Sequence, residues 1–288
     1  MAGTAVVSPL TRDATSAERT VSLWSSSRLL RRAALLVVCL AGWQAGALAL
    51  HNPVVPTVPE FVAAAGRELP TTIYWTSLGN TVAGWAIGLA VAALVAIPLG
   101  MVIGLSSVLD HATRITIGFL QATPSIVLLP LVVLMWGTTL QMKIILVAMA
   151  AFWPLLIQST YGIREVDRVA KETARSYRLR RRDRVLFLYL PSAAPFVGTG
   201  LRLAASIGLA VNIAAEVLAS PPGLGQQILL RTSNADDPAS AFVYFITAAV
   251  LGMAIAAGFR GVERAVLFWN PAYRKAAAKR ARRTGTAS

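Results

Sequence analysis

Cysteine, histidine and charge are all scarce in this chain, and each scarcity closes off a class of function. Cys39 is the only cysteine among 288 residues and lies in an apolar run, which excludes an internal disulfide framework and a thiolate metal site. The two histidines, His51 and His111, are far apart and do not form a His-x-x-x-His pair, so metal chemistry has no ligand set to start from. The chain also lacks a Gly-x-x-x-x-Gly-Lys-[Ser/Thr] phosphate loop, and it is not expected to bind or hydrolyse a nucleotide itself. Charged residues make up 14% of the chain; a soluble domain carries about 25%.

Apolar residues take up the difference, at 56% with a mean hydropathy of +0.61, so most of the chain expects lipid rather than water. The net charge of +14 does not point to nucleic acid, because the basic residues stand beside apolar runs and not along a soluble face. We read an all-α polytopic membrane protein with six transmembrane helices, at about 33–50, 81–105, 115–136, 144–161, 192–219 and 239–259. Residues 1–27, polar and without periodicity, are expected to be a disordered cytoplasmic tail. The membrane body is 28–273, and 274–288 is a basic cytoplasmic tail. The first apolar run follows Arg28, Arg31 and Arg32; it is too long and starts too late for a signal peptide.

Between the spans, the proline-rich stretch 51–76 reads as an outer loop with a short helix near 60–66, and Tyr74 and Trp75 suit a headgroup boundary. Gly84, Gly88, Gly100 and Gly104 recur at intervals that let helix backbones approach closely. Asp110–Arg114 reads as a polar turn, Pro124 and Pro130 predict a kinked or interrupted third span, and Gly137–Lys143 turns the chain back. Lysine and arginine number five before Ala33, one at Arg114, nine in 162–191 and eight from Arg260 on. Arg67, Lys143 and Arg231 fall on the other side and Arg202 lies within a span, so the asymmetry sets both termini and the 162–191 block in the cytoplasm.

That block, GIREVDRVAKETARSYRLRRRDRVLFLYLP, is more than a topological anchor. Val166, Val169, Ala170 and Ala174 mark one face of a helix over 165–176, and Arg180–Arg184 lead to Pro191, read as a break before the fifth span. Glu172-Thr173-Ala174, followed eighteen and nineteen residues after the Glu by Leu190-Pro191, resembles the EAA motif of permease subunits of bacterial ABC importers. SLGNTVAGWAIGLAVAALVAIPLGMVIGLSS (77–107), QATPSIVLLPLVVLMWG (121–137), AFWPLLIQSTYGIREVD (151–167), LPSAAPFVGTGLRLA (190–204) and GLGQQI (223–228) are similar to the nitrate/sulfonate/taurine-type branch. That branch also includes permeases for thiamine-pyrimidine precursors. The resemblance covers about residues 35–270 in order.

The resemblance implies the type I importer permease fold in the bacterial inner membrane. It implies a second permease subunit, taken as identical, two ATPase subunits that hold ATP and Mg²⁺, and an extracytoplasmic solute-binding protein. Residues 165–178 would be the coupling helix in a groove of the ATPase, with Glu172, Thr173, Ala174, Arg175 and Arg178 at the contact and Leu190 and Pro191 at the hinge. Arg178 stands where the motif has glycine, six residues after the Glu; positive φ suits glycine, so the bend uses different torsions, or the two helices join differently, or coupling to the ATPase is altered.

Charges inside spans are functional candidates. Arg202 and Glu216 share one helix face about 21 Å apart and cannot pair with each other. With Asn212 they either line the pathway or its dimer seam, or serve locally, Arg202 reaching the interface and Glu216 capping a neighbouring helix. Gln121, Thr123 and Ser125 around Pro124 face a ligand or repair the backbone at the proline; Trp136 and Trp153 read as interface anchors. A secondary transporter would need inverted repeats with broken helices and midplane ionisable groups, and an embedded enzyme would need an intramembrane cluster of reactive side chains. Neither pattern is visible.

Overall fold

A computed structural model describes residues 14–50, 55–233 and 237–266; Trp269, Tyr273 and the basic tail lie outside them. All secondary structure among the described residues is helical. The chain divides into two compact units, residues 1–63 and 64–288.

In the first unit, helix α1 (Ala14–Leu50) begins within the segment expected to lack order. No proline or glycine interrupts Ala14–Ala41, so the polar stretch has no breaker to stop the helix. Its apolar portion, Ala33–Ala49, is shorter than the other spans. Trp43 Nε1 donates to the Pro56 carbonyl at 3.1 Å, and Gln44 Oε1 accepts the Val58 N–H at 2.9 Å, fixing the chain after α1. Helix α2 (Val58–Glu68) opens with Thr57 and Glu60 in a capping-box spacing. The Glu60 carboxylate accepts the Thr57 N–H at 2.7 Å, a bond that holds its pKa below the usual carboxylate value.

In the second unit, α3 (Thr72–Leu105) starts well ahead of the apolar run because Thr71 caps it, accepting the Tyr74 N–H at 3.2 Å. Tyr74 therefore lies inside the helix and turns inward, 6% exposed, with its hydroxyl on Thr247; only Trp75 of the pair faces outward. Helix α4 (Ser107–Gln121) includes the Asp110–Arg114 segment expected to be a turn, because Ser106 caps it upstream.

After Gln121 the third span is interrupted, not merely kinked. A 3₁₀ turn (Ser125–Leu128) follows Pro124, and α5 (Leu129–Trp136) carries Pro130 in its first turn, the two halves meeting at 70°. Proline suits a first helical turn, where its missing N–H has no partner to lose. Gly137, at φ +64°, ends α5. Helix α6 (Leu140–Arg164) then begins before Lys143, so this residue belongs to a helix and not to the turn where its charge suggested it.

Helix α7 (Arg168–Ser176) and a short α8 (Arg181–Arg184) lead through a π-helical turn (Val185–Tyr189) into α9 (Leu190–Ala219). Pro191 consequently marks no break. It has no N–H to donate, and the ladder before it shifts to the longer register, Leu190 N–H bonding the Val185 carbonyl. Helices α10 (Leu224–Ser233) and α11 (Pro238–Val266) complete the unit. Among the described residues, four helical stretches are long and apolar enough to span a membrane, and a fifth if α4 and α5 count as one broken span.

Helices α3, α6 and α9 form the core, and the glycines of α3 set its spacing. A Cβ at Gly88 would fall 2.6 Å from Val147, one at Gly100 2.6 Å from the Leu156 carbonyl, and one at Gly104 2.8 Å from Ile163, all on α6. Thr160 Oγ1 donates to the Gly100 carbonyl at 3.1 Å, and Trp85 Nε1 to Ala205 of α9 at 2.9 Å. Gly100→Val should therefore force α3 and α6 apart and destabilise the protein by about 1–3 kcal/mol or more. Thermal unfolding of the detergent-solubilised variant checks this, and an unchanged midpoint would contradict the close packing.

Candidate functional site

Three places carry the sequence-flagged residues. The first is the segment between α6 and α9. Asp167 caps α7, its Oδ1 accepting the Val169 N–H at 3.2 Å, and Lys171 Nζ caps the end of α6 through the Arg164 carbonyl at 2.9 Å. Ala174 and Val166 turn inward, 6% and 5% exposed, whereas Val169 faces out. Glu172, Thr173 and Arg175 are exposed, and Glu172 pairs with Arg168 one turn earlier at 2.9 Å. Leu190 and Pro191 are exposed at the start of α9.

Arg178 adopts φ +50°, the left-handed conformation that the motif glycine would supply without strain. Leu179 N–H bonds the Ala174 carbonyl at 3.1 Å and Arg178 N–H the Arg175 carbonyl at 2.9 Å. These two bonds make a Schellman end to α7. The bend thus takes positive φ with arginine in glycine's place, and the expectation of different torsions is not met.

The second place is a buried polar network joining α3, α6, α9 and the start of α10. Lys143 Nζ donates to Glu216 Oε1 at 2.6 Å and to the carbonyls of Asn80 and Pro222, each at 2.9 Å, which uses all three ammonium hydrogens. Glu216 also accepts from Thr81 Oγ1 and, at 3.0 Å, from the Gly225 N–H, while Thr81 Oγ1 accepts the Leu224 N–H at 2.8 Å. Asn212 Nδ2 donates to the Thr81 carbonyl at 2.9 Å. Lys143 is 1% exposed, and Glu216, Thr81 and Asn212 are fully buried.

Of the two roles open to Glu216, the structure gives it the local one, closing the N-terminus of α10. The glycines of GLGQQI serve this contact: a Cβ at Gly223 would lie 2.2 Å from the Glu216 carboxyl carbon, and one at Gly225 2.6 Å from the Glu216 Cβ. Gly84 likewise leaves room for Lys143. Arg202, at the other end of α9, pairs with Glu263 of α11 at 3.1 Å. It is thus held by a second helix, which the interface reading did not foresee.

Beyond α10, Glu68 bonds Tyr244 at 2.9 Å and Arg231 at 2.8 Å, and Arg67 pairs with Asp237 at 3.0 Å. Burial would raise the Asp237 pKa, but hydrogen bonds from Ser240 and Arg67 outweigh it and hold the group below its ordinary value.

The third place is a cavity of about 470 Å³ at the break in the third span. Gln121, Thr123, Pro124 and Ser125 line it, together with Trp153, Pro154 and Gln158 of α6 and the Leu203–Val211 face of α9. Trp153 is thus a mid-helix wall residue and not an interface anchor. Sequence reasoning also missed Lys143 and Gln158. A signal for Lys143 existed: it is a lone cation in an apolar run, and Glu216 is a lone anion in another. Among the described residues there is no group of metal-ligating side chains.

Removing one member of the buried pair strands the other charge, at a cost of about 3–5 kcal/mol. Lys143→Met and Glu216→Leu should each lower the unfolding midpoint sharply, while the double variant Lys143→Met/Glu216→Leu should be more stable than either. Additive losses in detergent melts would contradict the pairing.

Residues 96–267, more than half of the chain, match the family model described as binding-protein-dependent transport system inner membrane component. The taurine transport system permease protein TauC of Escherichia coli is 26% identical over 245 residues, covering 82% of this chain and 88% of its own. SsuC of the same organism, named for aliphatic sulfonates transport, is 33% identical over 158 residues, covering 55% and 60%. The nitrate import permease protein NrtB of Synechococcus elongatus is 29% identical over 140 residues, covering 49% and 50%. A solved structure of the MetNI methionine ABC transporter in an inward-facing conformation shares the fold, with a TM-score of 0.60 at 16% identity over 67% of this chain and 96% of that one. A helical, multi-span chain with a capped segment between α6 and α9 and this sequence match is a permease and not an enzyme: it belongs to the family of binding-protein-dependent transport system inner membrane components, the permeases of ABC importers.

Proposed function

We propose that this chain forms, with a second identical copy, the translocation pathway of an ATP-driven importer for a small oxyanion of the sulfonate, taurine or nitrate kind. ATP and Mg²⁺ are bound by two separate ATPase subunits on the cytoplasmic side, and an extracytoplasmic binding protein delivers the solute. No cofactor is assigned to this chain. The charge asymmetry supports cytoplasmic termini and a cytoplasmic α7.

The observation that carries the reading is the capping of α7 at both ends. Its Asp167 and Schellman caps close it, Ala174 is buried, and Glu172, Thr173 and Arg175 are exposed. Lys171 ties α7 to the end of α6, so an ATPase that shifts α7 pulls on a helix that walls the cavity. The names of the similar permeases support the oxyanion class, and the cavity offers neutral donors from Gln121, Thr123, Ser125 and Gln158. A thiamine-pyrimidine precursor is the alternative solute within the same scaffold. An ATP-independent secondary transporter would use α7 for nothing.

Two experiments test this. Affinity-tagged permease should copurify with its ATPase, and Glu172→Lys together with Thr173→Arg should abolish that copurification while leaving the melting midpoint unchanged. A permease that transports without any ATPase would contradict the proposal. Arg178→Gly should keep ATP-driven uptake and leave the protein as stable or about 1 kcal/mol more so, since glycine takes positive φ freely. Loss of ATPase activity in that variant would mean the Arg178 side chain itself is needed for coupling.

A further inference from the structure

The cavity at the third-span break shares part of its wall with a second one. This second cavity, of about 350 Å³, is bounded by α4, the C-terminal half of α6 and Ile103 of α3, and Gln121 and Ile157 line both. The two differ in charge. No charged side chain lines the first. The second contains Asp110 and Arg114, with Thr113, Thr160 and Tyr161. Asp110 is neutralised by an ion pair with Arg164. Among the described residues, no hydrogen bond or ion pair engages the Arg114 guanidinium. The second cavity therefore carries one uncompensated positive charge, and it lies toward the end of α6 that leads into α7.

We propose that the two cavities are successive chambers of one path, and that Arg114 is an anion station at its cytoplasmic end. The inference rests on the oxyanion reading given above and assigns the residue that reads the charge. In the outer chamber, neutral amide and hydroxyl groups hydrogen-bond an oxyanion without holding it strongly. Past Gln121 the anion meets a guanidinium, whose fixed positive charge attracts a sulfonate or nitrate. Arg114 is exposed, so its field is screened and the anion is drawn inward without being trapped. A neutral solute would gain nothing from this step.

The test uses proteoliposomes holding the assembled complex of permease, ATPase subunits and binding protein, with uptake of labelled nitrate, methanesulfonate and taurine scored per copurified ATPase. That normalisation keeps a folding defect from registering as a transport defect. Arg114→Gln should slow uptake of the transported anion by about tenfold, the scale of one charge-assisted hydrogen bond, and Arg114→Lys should recover at least half of the rate. Wild-type rates in Arg114→Gln, or no recovery in Arg114→Lys, would overturn the anion station alone. A wild-type complex that moved none of the three anions would overturn the oxyanion reading and the station with it.

Discussion

The membrane core of this protein depends on one ion pair. Lys143 and Glu216 are the only oppositely charged partners among the described residues that are both essentially out of contact with solvent, and neither would be tolerated there alone. Removing a charge from water costs several kcal/mol even after relaxation, and the attraction between two charges repays this only when every remaining donor and acceptor is used. The network meets that condition. The ammonium has three acceptors, the carboxylate takes an N–H and a hydroxyl besides, and the loop Pro222–Gly225 closes over both. One contact thereby fixes the relative position of α3, α6, α9 and α10.

One end of the three-helix core is thereby locked. Lys171 ties α7 to the end of α6, and the π turn carries the chain from α8 into α9 without a hinge of free residues. Between the two ends, prolines interrupt the third span, and the backbone groups they free sit beside a cavity rather than lipid. Irregular backbone at membrane depth is tolerated only in such a setting. The break and the cavity thus lie along α6 and α9, which the buried ion pair ties together at one end.

Much of this was legible in the sequence because it is encoded locally. Apolar run length located the spans from α3 onward, and the glycines of α3 announced close packing. What stayed hidden was relational. Lys143 was assigned to a loop because a charge was taken as the edge of a span, and its partner lies 73 residues away on a different helix. Which way Tyr74, Trp153 and Glu216 face depends on helix rotation, which neither hydropathy nor spacing fixes. Arg178 was visible as a departure from the motif, yet only its torsion reveals that the turn survives with arginine in glycine's place. Caps at Thr71 and Ser106 lengthened helices beyond their apolar runs for the same reason: a single side-chain hydrogen bond outweighs composition at a terminus.

The central claim is that nucleotide in a partner ATPase changes access to the cavity walled by α4, α6 and α9. A direct measurement places a single thiol at Gln158, in a Cys39→Ser background, and follows its labelling by a membrane-impermeant maleimide applied from the cytoplasmic side of the assembled complex. The account predicts ready labelling without nucleotide and strong protection when ATP and vanadate hold the ATPase dimer closed. Labelling at the same rate in both states, with the ATPase shown to be closed, would contradict it.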